Sequence, residues 1–304
     1  MMRAGVAGSA SPLSVSHPKV LPLHDNTYRH PRAGWPGRLL AALANSARFA
    51  TIRQAILSRL PFLSLHSDVR DVVYVSWLVD AQAAQQRVPA GVTLWQRDGK
   101  TPFTVLTYRH GHFGPALLGP LRRLLPSPLQ SNWRLYLDPA PAGAPAVPCV
   151  YFLKNVMDSL PHALGTRLFS DILPTHLADA MTLDVSATQA CCSITPGAGS
   201  APALDIQAGF TDSQTLDGDW QQLFGNWRDA VAFLACQDAA IAHVPRNGKL
   251  ALGEIHLPVE LDHVQALTAL RADCGLLGQL PPLSAPFAFL VPTVPFKALS
   301  ERLL

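Results

Sequence analysis

The stretch TYRHGHFGP, residues 107–115, sets two imidazoles one residue apart, His110 and His112, at the end of an apolar run. On a strand successive side chains alternate faces, so Tyr108, His110 and His112 share one side and Thr107, Arg109 and Phe113 the other. Two histidines on one strand face begin a metal site, but such a site needs at least a third ligand, often a carboxylate. The cupin arrangement places a glutamate soon after the pair. Here the first glutamate is Glu254, followed only by Glu260 and Glu301. His162 and His176 complete a site only if the fold brings them close. The other reading is that the pair hydrogen-bonds within a polar rim or interior, or touches a ligand.

Further along, Asn132, Arg134 and Tyr136 share one face of SNWRLYLD, residues 131–138. An unpaired buried charge is very costly. Arg134 therefore either pairs with an acid, with Asp158 and Asp171 as candidates, or awaits an anionic ligand, for which its bidentate fork is suited. Lys154 follows an apolar run in VYFLKNVMD. An apolar setting lowers an amine's pKa and makes it a nucleophile; alternatively the strand ends there and the ammonium reaches solvent. His176, in LPTHLADAM, is either a general acid or base facing a cavity or a turn residue bonded to local backbone. The adjacent Cys191 and Cys192 point to opposite faces of a strand and read as buried thiols.

The elements that must position these groups are mostly strands. VVYVSWLV (72–79), TPFTVLTYRH (101–110), SNWRLYLD (131–138) and PCVYFLKNV (148–156) are β-branched and aromatic. Further strands fall near MTLDVS and TQACCSIT, at 202–210 and at 248–260. Helices are expected over 80–88, 157–172 and 220–238. Residues 37–60 show helical spacing, with Leu39, Leu43, Phe49, Ile52, Ile56 and Leu60 able to share a face and Arg48, Arg53 and Arg59 on or near the other. Such a basic amphipathic helix either packs on its own domain with its arginines solvated or lies on a membrane. Residues 1–36, rich in Gly, Ser, Pro and His, are expected to be a mobile tail, and 61–304 a single β-rich domain. Many short strands with few helices predict an α+β fold, mostly antiparallel, closed into a barrel with helices outside.

Composition removes several classes. Across 304 residues, 24 Lys+Arg face 21 Asp+Glu, a net charge of +3; a nucleic-acid binder needs a dense basic face. No GxGxxG or GxxxxGK[ST] run supports nucleotide binding. No window approaches the apolar length of a membrane span. Cys149, Cys191, Cys192, Cys236 and Cys274 form neither a disulfide framework nor a CxxC zinc motif. A reduced, cytoplasmic, soluble protein is the expectation, with no cofactor and no metal.

The order of these pieces resembles a family. VSWLVDAQAAQQRVPAGVTLWQRDGKTPFTVLTYRH is similar to the opening of the acetoacetate decarboxylase-like domain of unknown function 2071. SNWRLYLD is similar to its Asn-x-Arg-x-Tyr strand, and PCVYFLKN to its Gly-Val-Tyr-Phe strand, with Cys149 at the usual Gly. LPTHLADAM is similar to its Leu-Pro-Tyr-x-x-Ala-x-Met stretch, with Thr175 for Tyr. The resemblance covers residues 65–260 and implies an antiparallel-rich barrel with an internal cavity. It does not carry over the decarboxylase reaction. The Pro-Lys-Lys stretch that supplies that family's Schiff-base lysine matches Pro174-Thr175-His176, and no glutamate precedes residue 254. The expectation is a cavity bearing His110, Arg134 and His176 as the reacting groups. Tyr108, His112, Asn132, Tyr136 and Lys154 would line it, and a small anionic ligand would occupy it. An enzyme of this kind would do lyase- or isomerase-like acid/base chemistry on a small organic acid. The alternatives are a non-catalytic ligand-binding or structural barrel, and a His-ligated metal enzyme.

Overall fold

The computed structural model describes residues 25–304. Its helices are α1 (Trp35–Ala44), α2 (Ala47–Leu57), α3 (Ala81–Gln85), α4 (Leu160–Phe169), α5 (Gly218–Phe224) and α6 (Trp227–Ala235). The strands begin with β1 (Leu65–Asp80), β2 (Lys100–Arg109), β3 (Gly114–Pro115), β4 (Leu129–Leu137), β5 (Cys149–Met157) and β6 (Thr175–Leu177). They continue with β7 (Ala180–Val185), β8 (Gln189–Thr195), β9 (Leu204–Phe210), β10 (Ala239–Val244), β11 (Lys249–His256), β12 (Gln265–Cys274) and β13 (Phe287–Leu303).

Pairing runs β1-β2-β4-β5-β10-β11-β13, and β13 returns to pair with β1, so these strands close a ring. Every link in it is antiparallel except β5 with β10. From β13 the sheet continues outward through β12, β9, β8 and β7. The expected mostly antiparallel, closed β architecture is what the chain adopts.

Two apolar cores flank the ring strands. One sets Trp77, Phe103 and Trp133 against Ile194, Leu204 and Ile206 of the outward extension. The other sets Tyr74, Tyr136, Phe152 and Phe289 against Trp220, Trp227 and Leu234 of α5 and α6. A strand covered on both faces needs apolar side chains on both. That is why residues 72–79 read as an apolar run broken only by Ser76, whose hydroxyl lies 2.7 Å from that of Thr104, while β8, covered on one side, alternates. Trp77 and Trp133 are essentially sealed from solvent, and cutting either to Ala would cost roughly 3–5 kcal/mol.

Local chemistry divides two of the expected helices. The helix expected over 220–238 stops at Gly225 (φ +77°) and restarts at Asn226, whose side chain accepts from the Asp229 N–H at 2.9 Å. The helix expected over 37–60 breaks at Asn45, whose side-chain amide bonds both backbone polar groups of Tyr28; Ser46 then caps α2 through the Phe49 N–H. α2 also docks with its polarity reversed. Arg53 is the buried residue, ion-paired to Asp171, while Phe49, Ile52 and Ile56 face solvent.

β12 and β13 were not anticipated. Pro292 and Pro295 break the strand pattern of β13, yet β12 pairs with it over 288–290 and β11 over 297–303, leaving the prolines in a stretch bordered by β1 alone. There a missing N–H costs no second ladder. Residues 25–36, expected as the end of a mobile tail, lie against the domain instead, with Asn26 and Tyr28 buried. The rest of that tail, residues 1–24, lies outside the described residues.

Candidate functional site

The sequence-predicted groups separate into three environments. The first is a sealed polar network. His110 is 2% exposed; its Nε2 lies 2.7 Å from Gln130 Oε1 and its Nδ1 2.8 Å from Ser67 Oγ. Gln130 donates onward to Asn132 and Asn155, Asn132 to the Tyr108 hydroxyl, and Asn155 to Thr175. Burial lowers the His110 pKa to about 4, so the ring is neutral, and it stacks on Phe113 at 4.3 Å. His112 does not join it. β2 ends at Arg109, and Gly111 passes so close to the Asp68 carbonyl that a Cβ there would sit 2.6 Å from it. His112 follows at φ +53° and turns out to the Asp68 carboxylate at 3.0 Å. The expected shared face of the two histidines is lost because the strand stops before it reaches them.

Arg134 occupies the second environment. It donates to the Leu234 carbonyl at 2.6 Å at the end of α6, and its guanidinium lies 5.5 Å from the ring centroids of both Tyr74 and Tyr136. The Tyr136 hydroxyl lies 3.0 Å from Thr104 Oγ1 and from the same Leu234 carbonyl. The expected acid partners are engaged elsewhere. Asp171 holds Arg53 and Arg246, and Asp158 accepts the Leu129 N–H. Arg134 thus takes these partners from inside the fold and is not among the residues that line the cavity at Lys154.

The third environment is a cavity of about 410 Å³, on whose wall Lys154 and His176 meet. Lys154 reaches it through a β-bulge. The β4–β5 register passes from Trp133↔Lys154 to Arg134↔Phe152, leaving Leu153 as the extra residue and placing Lys154 on the face of Trp133. Its ammonium donates to the Asp25 carbonyl and, at 3.1 Å, to Asn26 Oδ1. Burial, partly opposed by the Asp25 carboxylate and reinforced by Arg167, brings the Lys154 pKa down to about 8. His176, on β6, lies 3.1 Å from the same Asn26 Oδ1 through Nε2 and 2.7 Å from Ser200 Oγ through Nδ1. Because Asn26 Oδ1 can only accept, Nε2 carries the proton and Nδ1 accepts the Ser200 hydroxyl.

Ser200, His176 and Asn26 have the geometry of a hydroxyl, a base and an orienting group. The electrostatics oppose that use. Burial first, then the charges of Lys154, Arg167 and Arg29, hold the His176 pKa well below its ordinary value. Arg29 and Asp25 complete the charged lining. Sequence reasoning selected Lys154 and His176 but missed Asn26, Arg29 and Ser200. Asn26 and Arg29 fall in the stretch read as a tail, and Ser200 lies in a loop with no motif. Among the described residues no group of three or more His, Cys, Asp or Glu side chains is placed to hold a metal. No helix there is long and apolar enough to cross a membrane.

A ring of paired strands with a lateral antiparallel extension is the acetoacetate decarboxylase-like fold. Acetoacetate decarboxylase from Legionella pneumophila superposes with a TM-score of 0.52 at 9% identity, over 95% of this chain and 98% of that one. The enduracididine biosynthesis enzyme MppR with bound HEPES gives 0.51 at 16% identity, over 81% and 89%. MppR complexed with the condensation product of pyruvate and imidazole 4-carboxaldehyde gives 0.50 at 15%, over 80% and 90%. At these identities the likeness is one of fold. No protein-family model matches the chain, and no curated protein matches it.

Proposed function

We propose that this chain is a protein of the domain of unknown function 2071 type whose cavity takes a small molecule bearing a carboxylate or another oxyanion. The observation that carries the reading is the charge of the wall. Lys154 and Arg29 line the cavity, Arg167 acts on it from behind, and Asp25 is the carboxylate among the lining residues. An anion entering there exchanges water for charge-assisted hydrogen bonds. It also offsets the cations that suppress His176, so a bound acid raises the basicity of the imidazole beside it. His176, bonded to Ser200, is then the group that moves a proton. MppR, on this fold, is described with pyruvate-derived material bound, which supports a small oxo acid as the first probe.

Lys154 serves in this reading as an ammonium donor and not as an imine-forming nucleophile, because both of its described hydrogen bonds are donated to oxygen acceptors. The test is calorimetric titration with pyruvate and other small carboxylates. Lys154→Met and Arg29→Gln each weaken binding about tenfold or more, the scale of a hydrogen bond to a charged group. Absence of binding by the unaltered protein across that panel refutes the reading. Borohydride added with pyruvate leaves the mass unchanged; a trapped adduct lost in Lys154→Met would instead establish imine chemistry.

A second reading, a ligand-binding protein without turnover, is favoured by the depressed basicity of His176. Proton exchange at the methyl carbon of bound pyruvate, next to its ketone, followed by NMR in deuterated water, separates the two. Exchange lost in His176→Gln marks catalysis; binding without exchange marks the second.

A further inference from the structure

The helices α1 and α2 present their apolar stripes outward. Trp35, Leu39 and Leu43 recur every four residues on α1, and Phe49, Ile52 and Ile56 continue the pattern on α2; Trp35 is 71% exposed and Ile52 61%. The stripe runs on through Leu60, Phe62 and Leu63. It then meets a second exposed apolar segment, the 3₁₀ turn Ala116–Leu124 with Leu117, Leu121 and Leu124, because the Ala116 N–H donates to the Ser64 carbonyl. An apolar face of this extent on a folded chain marks an interaction site.

What it fits is set by charge. Arg38, Arg48, Arg59 and Arg123 are exposed along the same segments, and Arg122 is half-buried. No Asp or Glu occurs between Asp25 and Asp68, or between Asp98 and Asp138. A second copy docked on this face about a twofold axis would set arginines against arginines with no acid of the face to separate them. A bilayer surface with anionic headgroups accepts both features: apolar side chains enter the acyl boundary while arginines meet phosphates and carboxylates.

We propose that the face formed by α1, α2 and the 116–124 turn is a docking surface for an anionic phospholipid bilayer, held at the interface without crossing it. The inference is independent of the cavity's ligand.

The test is flotation of the full chain with vesicles of phosphatidylcholine alone or mixed with phosphatidylserine. Variants are Ile52→Ser with Ile56→Ser, and Arg48→Gln with Arg59→Gln, each checked by circular dichroism and thermal melting. All four side chains are exposed, so the fold is retained. The chain floats with the serine-containing vesicles and not with phosphatidylcholine alone. Loss of two arginines weakens that binding roughly thirtyfold, from about 1 kcal/mol per basic group at such a surface, and the serine pair abolishes it. No flotation with either vesicle, or flotation unchanged in both variants, overturns the proposal. So does a concentration-dependent dimer in sedimentation that the serine pair dissolves, since a second copy would then be the occupant.

Discussion

Replacing Lys154 by Met separates the two charge states of the cavity lysine, and the size of the effect follows from its surroundings. The free amine titrates near 10.5 and the folded one near 8, chiefly because burial penalises the ammonium. Below about pH 8 the lysine is protonated in both states, so changing pH leaves its contribution constant. Between about 8 and 10.5 the unfolded chain still holds a proton that the folded chain has released, so raising the pH favours the fold. At about 1.36 kcal/mol per pH unit, that interval amounts to about 3 kcal/mol. Arg167, brought down to about 10 by burial, titrates in the same window. It is present in both proteins, so its own titration cancels on subtraction of Lys154→Met apart from its repulsion with Lys154. Urea unfolding of the two proteins from neutral pH to about 10.5 should show their difference flat at first. It should then rise in favour of the lysine protein by roughly 2 kcal/mol at about pH 9.5, a midpoint shift of roughly 1 M. Differences that stay level across the window would refute the buried, cavity-wall placement of Lys154.

Asp171→Ala strands the Arg53 guanidinium, whose side chain is 5% exposed, and should lower stability by roughly 3–5 kcal/mol in urea unfolding. Arg134→Met removes the bond to the Leu234 carbonyl and the contacts with two tyrosine rings. It should cost roughly 2 kcal/mol of stability while leaving the affinity of a small carboxylate unchanged by calorimetry, which separates Arg134 from the cavity. His110 is neutral in the fold down to about pH 4, so its ring resonances should stay unshifted through pH 6.5. Because the unfolded chain takes up that proton first, the group withdraws stability as pH falls from 6.5 towards 4; an imidazole titrating near 6.5 would contradict the sealed network.

The fold was legible where burial on both faces left a continuous record, as in VVYVSWLV, and where a strand held one exposed face, as in β8. It was illegible in β13, where prolines normally exclude a strand and only the changeover from β12 to β11 admits them. α2 misled for a related reason. Its spacing identified the helix but not which face docks, because Asp171, 118 residues from Arg53 in sequence, pairs with that arginine while Arg246 bonds both Asp171 and Gln54 of the same helix.

The candidate site follows the same logic at higher resolution. His110 and Arg134 looked like ligand-binding groups because a buried charge or imidazole demands partners, and sequence cannot say whether those partners are protein or ligand. The structure supplies them internally, from Gln130 and Ser67 in one case and from Leu234 and two tyrosines in the other. Lys154 and His176 are held together by one atom, Asn26 Oδ1, from a segment about 130 residues upstream of Lys154. Two donors converge there on one acceptor, and both side chains line the cavity beside it. His110 and Arg134 take their partners from within the sheet and α6, whereas Lys154 and His176 stand on the cavity wall, and on this placement the proposed ligand is assigned to Lys154 and not to Arg134.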